Sequence, residues 1–374
     1  CGTWPSTTPV CQFQHQRKQR LNYTGSAVFV KNAEPELRYR LKKTIVLDAM
    51  GSDNCPFPEV EAAVTASKEF GINVILVGDE VQLTTELKKL NQDLEGVRVV
   101  HAPEWLEMSE HIQEARAKKQ NTMAVGMQLV KDGEAQAFVT AGNTGMAMYF
   151  GTKIFGLIPG LIRPSLCATL PVKGGRSVLL DVGANAECRP EFLVQFAQMG
   201  SVFARLMLGV NEPRIGLIAN GEEEGKGNEL VKATHPLLKE QVPGFVGNIE
   251  GKELFGGSVD VAVTDGFTGN VILKSIEAVA KLIMSTLKDE LMSSTRTKIG
   301  ALLAKPAFNK VQQLMDPAEI GSAPLLGLNE LVFVGHGRSD AKTMVSAIAQ
   351  AVQAIDADLL PGLKKSISEN GELK

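Results

Sequence analysis

Residues 177–208 read SVLLDVGANAECRPEFLVQFAQMGSVFARLML, and this stretch decides the fold. Ser177–Asp181 is a nearly unbroken apolar run closed by a carboxylate, the pattern of a strand covered on both faces. Val182-Gly183-Ala184-Asn185 supplies a turn, and Glu191–Leu208 then repeats apolar residues at helical spacing. A strand, a glycine turn and a long helix in that order form half of a crossover unit, whose strands run parallel.

The same succession recurs on both sides. Thr44–Asp48, Asn73–Val77, Val97–Val100, Ala137–Thr140, Arg214–Ala219, Val259–Thr264 and Leu331–Val334 read as further short strands. Glu59–Phe70, Val81–Leu90, Thr122–Lys131 and Ala341–Ala357 read as helices between them. This alternation predicts an α/β fold, a mainly parallel sheet with helices on both faces, in a single catalytic domain over residues 44–370. Between Val271 and Met315 the strands stop, and two helical patterns rich in lysine meet near Ser293-Ser294-Thr295. That stretch, 271–315, predicts a helical hairpin projecting from the sheet and ending at Pro317. Residues 1–43 carry eight Lys/Arg against two Glu without a sustained apolar period, and read as a poorly ordered basic extension.

Composition narrows the function. A net charge of -3 and 5% aromatic residues argue against a general nucleic-acid binder. The five cysteines form no CxxC and the five histidines are scattered, so no metal site is expected, and the free thiols suit a reducing, cytoplasmic setting. The apolar stretch Met146–Ile162 is short and broken by Lys153 and Pro159, which disfavours a membrane span. The GxxxxGK[ST], strand-linked GxGxxG and GxSxG patterns are all missing, which disfavours an NTPase, an ordinary Rossmann dehydrogenase or a serine hydrolase, and no nucleotide cofactor is expected.

The chemistry is expected in the loops. Gly51-Ser52-Asp53, Gly142-Asn143-Thr144-Gly145, Gly183-Ala184-Asn185, Gly221–Asn228 and Gly266–Asn270 each follow a strand. One such loop is only a turn; five predict a single rim that shares an anion or acyl site. Lys226, between Gly225 and Gly227, is the natural cation for that site. Asn270 reads as a helix N-cap that can also donate to a developing oxyanion. Asn143, Thr144, Asp181, Asn185, Asn228 and Asp265 are expected to line the substrate. Glu222, Glu223 and Glu224 would repel an anion, so at least two should face away or pair with lysines. His336, between Gly335 and Gly337, is open to a structural role or to contact with the leaving group.

Taken in order, DAMGSD (48–53), TAGNTG (140–145), LLDVGANAECRPEFLVQFAQMG (179–200), ANGEEEGKGNEL (219–230), FVGNIEG (245–251), VTDGFTGNVILK (263–274), SAPLLGL (322–328) and HGRSDA (336–341) resemble the phosphate acyltransferase family. The resemblance covers residues 44–355, with Ser52 where the family usually has glycine and Cys55 where a residue such as alanine is commoner. It implies transfer of a long-chain fatty acyl group from acyl carrier protein to inorganic phosphate, giving acyl phosphate for phospholipid synthesis. It implies a three-layer α/β/α sandwich related to isopropylmalate dehydrogenases and phosphotransacetylases, and a helical arm that makes a homodimer. Lys226 and Asn270 match the family's catalytic positions, and no cofactor is implied. Direct attack by phosphate needs no acyl-enzyme, so a covalent role for Cys188 is disfavoured. An acidic carrier would dock on basic residues, with Arg163, Arg189 and the hairpin lysines as candidates. Leu302, Leu303 and Phe308, flanked by Lys298, Lys305 and Lys310, also suit peripheral contact with an anionic membrane. The rival readings are a phosphotransacetylase acting on short acyl-coenzyme A, and a non-enzymatic scaffold that binds acyl carrier protein or membrane.

Overall fold

The computed structural model describes residues 42–90, 94–315 and 322–370. The basic extension up to residue 41 and the hairpin end at Pro317 lie outside the described residues. Strands β1 (Thr44–Asp48), β2 (Asn73–Gly78), β3 (Val97–His101), β4 (Ala137–Thr140), β5 (Ser165–Val172), β6 (Gly175–Leu180), β7 (Ile215–Ile218), β8 (Phe245–Ile249), β9 (Val261–Val263), β10 (Ala323–Leu326) and β11 (Leu331–Val334) make one sheet. Their order is β3-β2-β1-β4-β11-β10-β5-β6-β9-β7-β8. The helices are α1 (Phe57–Phe70), α2 (Glu80–Lys89), α3 (Ile112–Ala115), α4 (Thr122–Lys131), α5 (Thr144–Phe155), α6 (Pro190–Leu208), α7 (Glu229–Gln241), α8 (Gly251–Gly256), α9 (Gly266–Met292), α10 (Thr295–Met315), α11 (Ala341–Asp356) and α12 (Leu359–Asn370).

Period-two side-chain alternation sends each strand into two cores. Ile45 and Leu47 join one cluster with α1, α6 and α11, while Val46 joins the other with α4 and α5. Val178 and Leu180 divide from Leu179 in the same way. The fold is therefore helix, sheet, helix in layers, as expected of strands that are apolar on both faces.

One expectation fails at the centre of the sheet. β3, β2, β1, β4 and β11 run parallel, and so do β6, β9, β7 and β8. Between the two sets β10 is antiparallel to both β11 and β5, and β5 is antiparallel to β6. Three reversals leave the sets pointing in opposite senses. The glycine loops therefore form two rims: those after β1, β4 and β11 on the first, and those after β6, β7 and β9 on the second. The single rim of the sequence reading is corrected to two.

Helix α9 joins them. Its N-cap is Asp265, whose carboxylate accepts the Thr268 N–H at 2.9 Å and the Thr268 hydroxyl at 2.8 Å. Asn270 is the fifth residue of the helix, so its expected capping role is corrected too. The first turn sits directly on the loop after β6. The Gly266 N–H donates to the Asn185 carbonyl at 2.8 Å, and a Cβ at Gly266 would stand 2.6 Å from that oxygen. A Cβ at Gly269 would overlap the Asp181 carbonyl oxygen. Beyond its first turns α9 becomes largely exposed and packs against α10, and no helix among the described residues is long and apolar enough to cross a membrane.

The Gly269 contact is with backbone and cannot relax by a rotamer change. Gly269→Ala should destabilise the protein by about 2 kcal/mol or more, read as a lower midpoint in urea unfolding with an unchanged slope.

Candidate functional site

On the second rim the loop after β6 is built around Asp181. This buried carboxylate accepts from the Leu166 N–H at 2.9 Å, the Ala184 N–H at 3.2 Å, the Asn185 N–H at 2.6 Å and Asn185 Nδ2 at 2.9 Å. Burial still pushes its pKa above the ordinary aspartate value against all four donors. Asn185 Nδ2 also reaches the Pro164 carbonyl at 2.8 Å. Both residues thus hold the loop in shape. Asn270 closes over it, its carboxamide carbon 3.7 Å from where a Gly183 Cβ would lie, and Gly183 keeps that place open at φ +132°.

The loop after β7 carries Lys226. The Lys226 N–H donates to the Glu223 carbonyl at 2.9 Å, the Gly227 N–H to Asn220 Oδ1 at 2.8 Å, and Asn248 Nδ2 from the end of β8 to that same Glu223 carbonyl at 2.9 Å. Gly227 has φ +101°, and a Cβ there would collide with Val231 at the start of α7. The backbone at Lys226 is therefore pinned while its side chain is exposed. Glu222 pairs with Lys252 at 2.7 Å and Glu224 with Lys239 at 2.8 Å, the expected neutralisation of two of the three acids. Lys252 also lies 3.3 Å from Glu250 and 3.6 Å from Glu253, so the carboxylates gathered there share a lysine. Among the described residues no ion pair joins Lys226 to an acid. Asn228, an exposed residue, N-caps α7 by accepting the Val231 N–H at 2.9 Å, which engages its side-chain oxygen.

On the first rim Asn143 N-caps α5 through the Met146 N–H at 3.2 Å and donates to the Met108 carbonyl at 3.1 Å. Both ends of that carboxamide are engaged, and Thr144 follows it half-buried at the head of α5. Asp48, at the end of β1, accepts from the Met50 N–H at 3.2 Å and the Thr140 hydroxyl at 2.8 Å. His336 Nδ1 accepts the Arg338 N–H at 3.3 Å, which leaves Nε2 as the protonated nitrogen. Its pKa is lowered, first by burial and then by the Lys274 charge, with Glu277 opposing. The imidazole is therefore neutral at pH 7.

The two rims meet along α9. Asn270 and Lys274 are four residues apart on one helix face; the first overlies Gly183 and the second acts on His336. Sequence reading missed Asn248 and Asn220, which hold the lysine turn, and the pair Asp48 and Thr140; a polar residue at or just beyond a strand end was the available signal. A separate cavity of about 470 Å³ lies at the other end of the second strand set, lined by residues such as Lys173, Arg176, Arg214 and Asp260, away from these loops.

The sequence matches the family described as "Fatty acid synthesis protein" over residues 43–360. It is 46% identical over 332 residues to the phosphate acyltransferase of Pelotomaculum thermopropionicum, covering 88% of this chain and 96% of that one. The phosphate acyltransferase of Thermus thermophilus is 44% identical over 325 residues, 87% of this chain and 98% of its own. Among solved structures, a phosphotransacetylase from Streptococcus pyogenes aligns with TM-score 0.55 at 18% identity over 86% of this chain and 97% of its own. The EutD phosphotransacetylase from Staphylococcus aureus aligns with TM-score 0.52 at 15% identity over 88% of this chain and 98% of its own. These two establish likeness of fold.

Cys188 lies beside the Asp181 loop, and its thiol is within 3.4 Å of the Asn185 carbonyl. Burial, with a smaller push from Asp181 and Asp265, drives its pKa up to about 12. Its alkylation by iodoacetamide at about pH 8 should run at least about a hundredfold slower than that of an unstructured cysteine peptide, measured by mass spectrometry of the Cys188 peptide.

Proposed function

Because the chain belongs to the phosphate acyltransferase family, we propose that this acyltransferase moves a long-chain acyl group from acyl carrier protein to inorganic phosphate, releasing acyl phosphate. A phosphate oxygen attacks the thioester carbonyl and forms a C–O bond. The carbonyl oxygen takes the displaced electron pair, and collapse of that oxyanion breaks the C–S bond and releases the carrier thiolate. Phosphate is already largely dianionic at neutral pH, so the site must capture and orient it rather than deprotonate it.

The observation that carries this reading is the placement of Lys226. It is a cation with no ionic partner among the described residues, on a hydrogen-bonded turn beyond β7, whose neighbour β9 leads to Asn270 in the same direction. In this reading the ammonium holds phosphate and Asn270 Nδ2 donates to the oxyanion beside Gly183. Asn228 and Thr144 offer further donors to the phosphate. Neutral His336 presents Nε2–H towards the departing thiolate. Asp181, Asn185, Asp265 and Asn143 position loops and helix ends rather than touch substrate.

The exposed apolar residues of α9 and α10 suit a second copy of the chain, with Leu282 64% and Ile283 51% exposed on α9. Leu302 and Leu303, 71% and 79% exposed and near Lys298 and Lys305, suit peripheral contact with an anionic membrane. Arg163 and Arg189, both exposed near the start of α6, suit the acidic carrier. The setting is cytoplasmic in this reading.

Purified protein given palmitoyl-acyl carrier protein and phosphate should form acyl phosphate. Lys226→Ala and Asn270→Ala should each lower kcat about 100- to 1000-fold, with folding unchanged by circular dichroism. Turnover that is undiminished in both variants, or that occurs only with short acyl-coenzyme A, would refute the assignment. Leu282→Asp with Ile283→Asp should convert a dimer to a monomer in sedimentation equilibrium.

A further inference from the structure

The first glycine loop lies over a carboxyl group that the acyl-transfer chemistry does not use. Glu59, third residue of α1, is fully buried, yet neither carboxylate oxygen has a hydrogen-bond partner. Ser52 is 6% exposed, and its hydroxyl is buried and equally unpartnered. The two residues lie near enough for the Ser52 hydroxyl and N–H to favour the Glu59 carboxylate, but they make no hydrogen bond of ordinary geometry. Unpaired buried polar groups are uncommon and costly, and two together need a reason.

Among the described residues no cation is hydrogen-bonded or ion-paired to Glu59, and the nearest element packed on α1, α11, carries its lysine, Lys342, at its exposed start. Asp48 of β1 and Cys55 of the loop are the titratable groups that act with Glu59. Along the rest of α1, α11 buries Met344, Ala347 and Ile348, α2 buries Leu83 and Leu87, and β2 is uncharged. Burial first, and the Asp48 charge to a lesser degree, lift the Glu59 carboxyl to about 7, while the Ser52 contacts pull it down. The Cys55 thiol is pushed up to about 11 by burial and then by Glu59.

The loop above is tightly tied. A Cβ on Gly51 would come within 2.9 Å of Asp48 Oδ2, the Gly142 nitrogen and the Thr140 hydroxyl. The Asp53 N–H donates to the Gly337 carbonyl at 2.8 Å, next to His336. A displacement of Ser52 therefore reaches both the Gly142 loop and the His336 loop.

We propose that Glu59 and Ser52 form a buried, proton-carrying latch that positions the Gly51–Asp53 loop and, through Gly337, the His336 loop on the first rim. Un-ionised, Glu59 needs no counter-charge and the loop packs over it as in this structure, with no bond between the two side chains. Ionised, its carboxylate draws the Ser52 hydroxyl and N–H towards it as donors against the Asp48 charge, and the Gly51–Asp53 loop shifts with them. Glu59 and Ser52 are positioning residues that do not touch substrate.

The test uses the full chain. In infrared spectra recorded from about pH 5 to 9, wild type should lose an un-ionised carboxyl band with a midpoint near 7 that Glu59→Gln lacks. Ser52→Gly should move that midpoint up by about one pH unit, since it removes a donor to the carboxylate. The folded state holds this proton more tightly than the unfolded chain, so the stabilisation is complete below the ordinary glutamate value and fades as pH rises through 7. Relative to Glu59→Gln, the wild-type folded-to-unfolded ratio should fall about 300-fold across that window. With acyl carrier protein substrate, the wild-type KM for phosphate should rise at least about threefold from pH 6 to 8 relative to Glu59→Gln, with kcat equal; phosphate's own ionisation cancels in the comparison. A Glu59 band absent at pH 6, or a midpoint unmoved by Ser52→Gly, overturns the latch. A KM ratio that stays flat overturns its positioning role. Only the kinetic arm rests on the acyl-transfer reading. If no variant turns over, that reading fails while the infrared and unfolding results still decide the latch.

Discussion

The seat of α9 on the Asp181–Asn185 loop is the contact on which the cleft depends. A buried carboxylate gathers three backbone N–H groups and one carboxamide, and so sets the path of the loop. Gly266 and Gly269 let the helix backbone approach that path more closely than any side chain permits. From this seat the helix runs about 6 Å per four residues, which brings Asn270 over Gly183 and sets Lys274 where its charge acts on His336. If the helix were lifted by the width of a methyl group, the two rims would no longer share a wall.

The layers of the fold were legible because apolar runs with glycine exits betray strands covered on both faces. Three strands were not. β8 is interrupted by Gly247, β10 is a four-residue strand with Pro324 inside, and β5 ends through Pro171 and Val172. Proline in a strand argues against a central position, yet β5 and β10 lie mid-sheet. They are also the strands that reverse its direction. Missing them made two opposed rims look like one, since the strand-to-helix rhythm is identical in either half and only long-range pairing tells them apart.

Local motifs located the loops more faithfully than the roles of their side chains. Lys226 was legible because Gly225-Lys226-Gly227 places a cation on a turn that cannot be helical. Asn270 was displaced by one turn. Gly266, Phe267 and Gly269 are weak helix formers, so the helix seemed to begin after them, whereas the Asp265-to-Thr268 bond starts it five residues earlier. Asn143 and Asn228 do cap helices, and that duty takes the side-chain oxygens a ligand site would otherwise use.

The division between engaged and free groups has an electrostatic consequence. In many anion sites a glycine loop offers bare backbone N–H groups to phosphate. Here the N–H groups of Met50, Ala184 and Asn185 already face the carboxylates of Asp48 and Asp181. A phosphate approaching either loop meets acids whose donors are turned inward, and like charges at such range repel. Burial raises both carboxyl pKa values, which softens that repulsion without removing it. Net attraction must then come from outside the loop that shapes the pocket. Lys226 meets this need because it comes from a different crossover, two of its three flanking acids are neutralised by Lys239 and Lys252, and its backbone is fixed while its ammonium is free to follow the ligand.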